Sequence, residues 1–237
     1  MRAALARRDD TLAAEQGEIV LWFETDLYDQ LQLIQVLERL EDEATVTLVT
    51  TASFASLTPK RAHRLWGEGS TIGPAERTLA AAAWHAFRSP DPTAIETLLA
   101  AGTAALPELG RALRRHLEQF PGVGTGLGRS EMQVLGVVSK RVRSLHTIFN
   151  AQQALEERPF MGDAWVWRIV ERFGRAPALL EGPDGAISRT ELGREIFSGG
   201  ADYVALGGGG RWLGGVELRD GSAAWRWDGE AQALLRA

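Results

Sequence analysis

The chain has 237 residues, 45% of them hydrophobic, a net charge of −5 and no cysteine. That length and apolar content allow a buried core in one or two domains and exclude a disordered chain. The absent cysteines exclude disulfides, thiolate metal sites and a thiol nucleophile, and a reducing cytoplasm is the expected compartment.

No apolar run reaches the roughly 20 residues that span a bilayer, so no membrane partner is expected. Charge is unevenly spread: residues 1–120 hold 12 basic and 17 acidic side chains, and residues 121–237 hold 14 of each. Nucleic-acid modules need a basic face. DNA therefore rests on local clusters alone, chiefly Lys140, Arg141 and Arg143.

Residues 1–16 read as a surface helix ended by Gly17, before an apolar strand over 18–23. A strand without alternation is buried on both faces, as in parallel sheets. Asp26 is placed to cap the next helix, with Asp29 three residues on as a variant capping box. That helix runs to about Glu41. Tyr28, Gln32, Gln35 and Arg39 form one polar stripe and leucines fill most of the remaining circumference, so it packs on more than one side. Residues 45–50 complete a strand-helix-strand unit. Two parallel strands with both faces covered are not stable alone. Further strands must come from a preceding segment, a second subunit or weaker strands downstream.

Residues 58–120 read as helices, the last with Arg111, Arg114 and Arg115 on a mainly solvated side. The glycine-rich residues 121–128 read as a linker, since they follow a helix and match neither the dinucleotide nor the Walker pattern. Three helices follow, over 129–139, 145–156 and 163–173. Asp220-Gly221 between RWLGGVEL and AAWRWD is a hairpin signal. Three helices and a hairpin are the outline of a winged helix. The expected fold is a partial parallel α/β domain with helical extension over 1–120, a linker over 121–128, and a winged-helix-like α+β domain over 129–237.

Glu24, Asp26 and Asp29, with Thr50 and Thr51, fall where open α/β sheets bind ligands, beyond the carboxyl ends of the strands. Carboxylates there can bind a hydroxyl, act as a base, or hold Mg²⁺ through Glu24 and Asp26. They also cap the helix, a role worth about 0.5–2 kcal/mol. Mg²⁺ is the cofactor that the metal reading implies, and no other is identified. His63, His85, His116 and His146 lack zinc spacing, and there is no GxSxG elbow. In the third of the three helices Val166, Ile169, Val170 and Phe173 follow core spacing. That leaves Trp167, Arg168 and Arg172 as contacts for a partner or for DNA. Trp225 and Trp227 alternate with Arg226, and with Trp212 they are expected to seal a small core on one face of the hairpin.

The segments VLWFETDLYDQLQLIQVLERL, WHAFRSPDPTAIETLLAAGTAALPELGRALRRHLEQFP and RPFMGDAWVWR, with RWLGGVEL and WRWD, resemble the uncharacterised bacterial family known as domain of unknown function 1835. The resemblance covers most of the chain and implies no activity. It implies a further N-terminal strand, a Gly-Asp-Ser-like loop and a helix ahead of the region around Ile19. It also marks a departure at GLGRSE, where relatives look more like GLSRTE and where Ser130 with Gln133 is expected to form a shifted capping box.

Two functions follow as expectations. The first is a cytoplasmic sensor or regulatory protein, with a small-ligand-binding α/β part and a winged part that contacts a protein partner or self-associates, DNA being less favoured. The alternative is a metal-assisted enzyme acting on a nucleotide or phosphate ester.

Overall fold

The computed structural model describes residues 2–15, 17–41, 43–138 and 143–237. It is mixed α/β, with ten helices and four small sheets among the described residues. The chain divides into two compact units, one running to Ser89 and including Ala94–Leu113, the other holding Pro90–Thr93 and Arg114–Ala237.

In the first unit, α1 (Arg2–Ala14) precedes β1 (Ile19–Glu24), α2 (Leu27–Arg39) and β2 (Val46–Thr51). β1 and β2 are parallel, in register from Ile19 opposite Val46 to Glu24 opposite Thr51. The helix between them is apolar around most of its girth. Leu33, Ile34, Val36 and Leu37 are buried, each contributing about 1.5–3 kcal/mol for the larger side chains. The polar stripe takes α1: Arg39 pairs with Asp9 at 2.9 Å and Arg8 donates to Gln35 at 3.4 Å.

α3 (Pro59–Gly67) leads to β3 (Ser70–Thr71), which pairs antiparallel with β2 and makes the sheet order β1-β2-β3. This third strand escapes sequence reading because two residues carry no period. α4 (Pro74–Arg88) lies against α2 and buries Ala80, Ala83 and Ala86. α5 (Thr93–Ala101) and α6 (Leu109–Leu117) follow, and the division into units falls after the first residue of α5 and again within α6.

The second unit holds α7 (Arg129–Val137), α8 (Leu145–Gln153) and α9 (Asp163–Phe173). Their core contains Val166, Ile169, Val170 and Phe173, the apolar positions of α9 that the helical spacing predicts, together with Leu135 of α7 and Ile148 of α8. β4 (Leu180–Glu181) and β5 (Ser188–Arg189) then form a short hairpin, and α10 (Glu191–Phe197) follows.

Segment 121–128 lies inside this unit and is tightly packed. Gly122 N–H donates to the Leu127 carbonyl, Trp227 N–H to the Pro121 carbonyl, and Tyr203 N–H to the Thr125 carbonyl. A Cβ on Gly128 would stand 2.4 Å from the Gln119 carbonyl oxygen. These glycines serve close backbone approach, not slack.

Asp220-Gly221 is a two-residue turn closed by one antiparallel bridge, Arg219 opposite Ser222, but the longer strands on either side do not pair with each other. β6 (Arg211–Leu213) pairs with β7 (Val216–Leu218), and β8 (Trp225–Asp228) with β9 (Ala233–Arg236). The Asp220 carboxylate instead accepts the Gly210 N–H at 2.7 Å. Trp227 is buried as expected, whereas Trp212 is 66% exposed and seals nothing.

Candidate functional site

The carboxyl ends of β1 and β2 bring Glu24 beside Thr51, and the chain turns at once into α2. Asp26 caps that helix: one oxygen accepts the N–H of Tyr28 at 2.8 Å and of Asp29 at 3.1 Å. Asp29 does not complete a capping box. Its carboxylate reaches back to the Glu24 N–H at 2.6 Å, because the last amide of an edge strand is a closer unpaired donor. Gln30, almost fully buried, donates to the Glu24 carbonyl at 2.9 Å. The Glu24 carboxylate accepts the N–H of Phe54, the first residue of a 3-10 turn over Phe54–Ser56.

These bonds leave the rim strongly acidic. Asp26 is only 6% exposed. Burial, with the charges of Asp29 and Glu24, pushes its carboxyl up to about 6 against the pull of its two amide bonds. Burial also raises Asp29. No ion pair with a cation is found for Glu24, Asp26 or Asp29 among the described residues. The Thr25 hydroxyl, between Glu24 and Asp26 in sequence, is buried with no hydrogen-bond partner. Thr51 is buried and directs its hydroxyl to the Ser53 carbonyl at 3.4 Å, while Thr50 is exposed. Among the described residues no three His, Asp or Glu side chains gather into a metal-binding group.

A cleft of about 630 Å³ lies at the other end of α2, between Leu37, Glu38 and Leu40 and the start of α4 at Pro74 and Arg77. Arg77 is tied there to the carbonyls of Glu41, at 3.0 Å, and Ala44, at 2.5 Å. Nothing in the local sequence pattern marks this cleft.

In the second unit Arg143 pairs by backbone with Ile187, N–H to carbonyl in both directions at 3.1 and 3.2 Å. Lys140 and Arg141 lie outside the described residues. Trp165 and Trp167 are 50% and 42% exposed, and the exposed Arg168 guanidinium stands 4.7 Å from the Trp165 ring centre. Arg172 turns away from them and pairs with the buried Glu131.

Glu131 also accepts the Gly128 N–H at 2.7 Å, which supplies half of a capping box at the start of α7, since Gly128 has no side chain to return the bond. Ser130, expected to cap, instead accepts from Arg115 at 2.8 Å and Gln119 at 3.0 Å. The Arg115 side chain is correspondingly only 10% exposed, paired with Glu156 at 2.5 Å. His116 is buried beside it and pushed down to about 4, by burial first and then by the Arg115 charge.

Comparison with protein-family models, with curated proteins and with solved structures finds no match. No helix among the described residues is long and apolar enough to cross a membrane.

Proposed function

We propose that the chain is a sensor or regulatory protein whose first unit binds a small ligand at the Glu24, Asp26 and Asp29 rim. The observation that carries this is Asp26 itself. A carboxyl group so deeply buried, flanked by two more and paired with no cation among the described residues, is costly to ionise. A ligand offering hydrogen-bond donors or positive charge would relieve that cost. A bare phosphate would add to the repulsion.

A winged-helix-like second unit is supported by its strand order. The Arg143–Ile187 bridge lies between α7 and α8 in sequence and abuts β5, which pairs with β4. Helix, strand, two helices and a two-stranded wing is the winged-helix sequence of elements, with α9 in the recognition position. A protein partner is favoured over DNA because Arg172 is spent on Glu131 and the wing, residues 182–187, holds Asp184 and no basic residue. Half-exposed tryptophans next to an arginine are the residue types that dominate protein interfaces.

The test is thermal melting of the whole chain and of Asp26→Asn against amines, polyols, nucleosides, nucleotides and Mg²⁺. A ligand that binds only the folded state raises Tm by mass action. A shift with amines or polyols in the wild type, lost in Asp26→Asn, is the expected result. A shift that needs Mg²⁺ with a nucleotide would turn the reading to the metal-assisted enzyme, and no shift across the panel would remove both. For the second unit, salt-dependent binding to duplex DNA that Arg168→Ala weakens would overturn the preference for protein.

A further inference from the structure

We propose that the outer edge of β1 pairs antiparallel with the same edge of a second copy, on a two-fold axis at Leu21, to form a weak dimer. Ile19 and Thr25 donate their N–H groups to the carbonyls of Thr45 and Thr51. Since strand residues alternate in direction, odd-numbered residues of β1 turn to β2, while Val20, Trp22 and Glu24 turn their backbone groups outward. Glu24 is closed off, N–H by Asp29 and carbonyl by Gln30. Val20 and Trp22 have no such partner among the described residues. The free edge is thus a defined patch of two donors and two acceptors, on a strand with none of the usual edge defences of lysine, proline or bulge.

That patch is self-complementary. Two-fold pairing at Leu21 sets Val20 opposite Trp22 of the second copy, so all four free groups on each copy are bonded. The side chains fit as well: Val20 with Trp22 on one face, Ile19 with Phe23 on the other, and Leu21 with itself. Aromatic and β-branched pairs of this kind favour association. Trp22 and the 56% exposed Trp66, whose ring centres are 6.4 Å apart, would gain a neighbour.

The area sets the strength. Even with Trp66 and the 39% exposed Phe54 fully covered, two aromatics of about 150–250 Å² each leave the interface short of the roughly 800 Å² per partner of stable complexes. The dimer is therefore concentration-dependent. Charge modulates it: Glu18 and Glu24 fall opposite each other at both ends of the pairing, so added salt should tighten association by screening that repulsion.

Sedimentation of the whole chain from micromolar to near-millimolar concentration tests this, with hydrogen exchange read at single amides. Wild type should dimerise, more so at high salt, and the Val20 and Trp22 amides should gain protection with concentration while Leu21 and Phe23 do not change. Trp22→Pro removes an outward donor without touching the bonds to β2, and should weaken association about tenfold, two donors being lost per dimer. Should that variant misfold, Val20→Lys, which sets a charge against Trp22 of the second copy, gives the same reading. A chain that stays monomeric, or a dimer unchanged in folded variants, overturns the proposal and leaves the edge to a strand of another protein.

Discussion

Arg172 on α9 closes on the carboxylate of Glu131 on α7, and Arg211 reaches the other oxygen of the same carboxylate at 3.0 Å. One buried acid thus holds two guanidinium groups and the amide of Gly128, the N-cap of α7. Removing it leaves positive charge uncompensated, and the Arg211 side chain is only 17% exposed. Glu131→Ala should destabilise the second unit by about 3–5 kcal/mol. Arg172→Ala should cost less, about 1–2 kcal/mol, because Arg211 still pairs and Arg172 is partly solvated. Hydrogen exchange across α7 and α9 measures both.

How much of this was legible from residues alone varies by element. β1, α2, β2 and the three helices α7, α8 and α9 are long enough for period and caps to define them, and the structure places them within a few residues of expectation. β3, β4 and β5 have two residues each and no readable period. Asp220-Gly221 does form a two-residue turn, but its pairing stops at the Arg219–Ser222 bridge because the Gly214 turn, with φ of +57°, has already closed β6 on β7. At the rim, the adjacency of Glu24, Asp26 and Asp29 follows from sequence. Their partners do not: Phe54 is thirty residues from Glu24, and only the fold brings its N–H there. Arginines on helices read as solvated, and Arg115 and Arg172 show how a buried carboxylate brought in from elsewhere in the chain, Glu156 or Glu131, reverses that reading.

Asp26 makes stability depend on pH in a defined window. Its carboxyl titrates near 3.8 in the unfolded chain and at about 6 in the folded one. Between these values the folded state binds more protons, so stability falls as pH rises from about 4 to about 6 and stays low above that. The loss is about 1–3 kcal/mol. Asp26→Asn keeps the capping oxygen and removes the charge. It should raise Tm at neutral pH and flatten the wild-type decline between pH 4 and 6, with Asp29 leaving a residual slope of the same sign. Thermal melts across that range decide it.

Gly124 and Gly126 separate a packed segment from a slack one. Both have positive φ, +84° and +70°, so an added Cβ costs each about 1–2 kcal/mol in the backbone. A Cβ on Gly124 would meet nothing within 4 Å, whereas one on Gly126 would stand 2.5 Å from the Asp202 carboxylate and 2.7 Å from the Val204 nitrogen. Gly126→Ala should therefore lose a further 1–3 kcal/mol or so through overpacking. Chemical denaturation of the two variants gives the comparison, and equal losses would mean that residues 121–128 do not hold the second unit together.

Asp29 links the acidic rim to the strand edge, because the carboxylate whose charge adds to the burial that raises Asp26 is the one that closes the Glu24 N–H. Asp29→Ala removes both effects at once. The loss of one amide partner at a partly solvated strand end should cost about 0.5–1.5 kcal/mol, while the loss of a like charge beside Asp26 returns part of it at neutral pH. The net change in Tm should be small above pH 6 and a clear decrease near pH 4, where Asp26 is protonated and repulsion no longer matters. The same substitution lengthens the open edge of β1 by one donor and should strengthen self-association relative to wild type. Melting at the two pH values and sedimentation at one concentration read these effects separately, and a uniform drop in Tm with unchanged sedimentation would show that Asp29 serves only to anchor the start of α2.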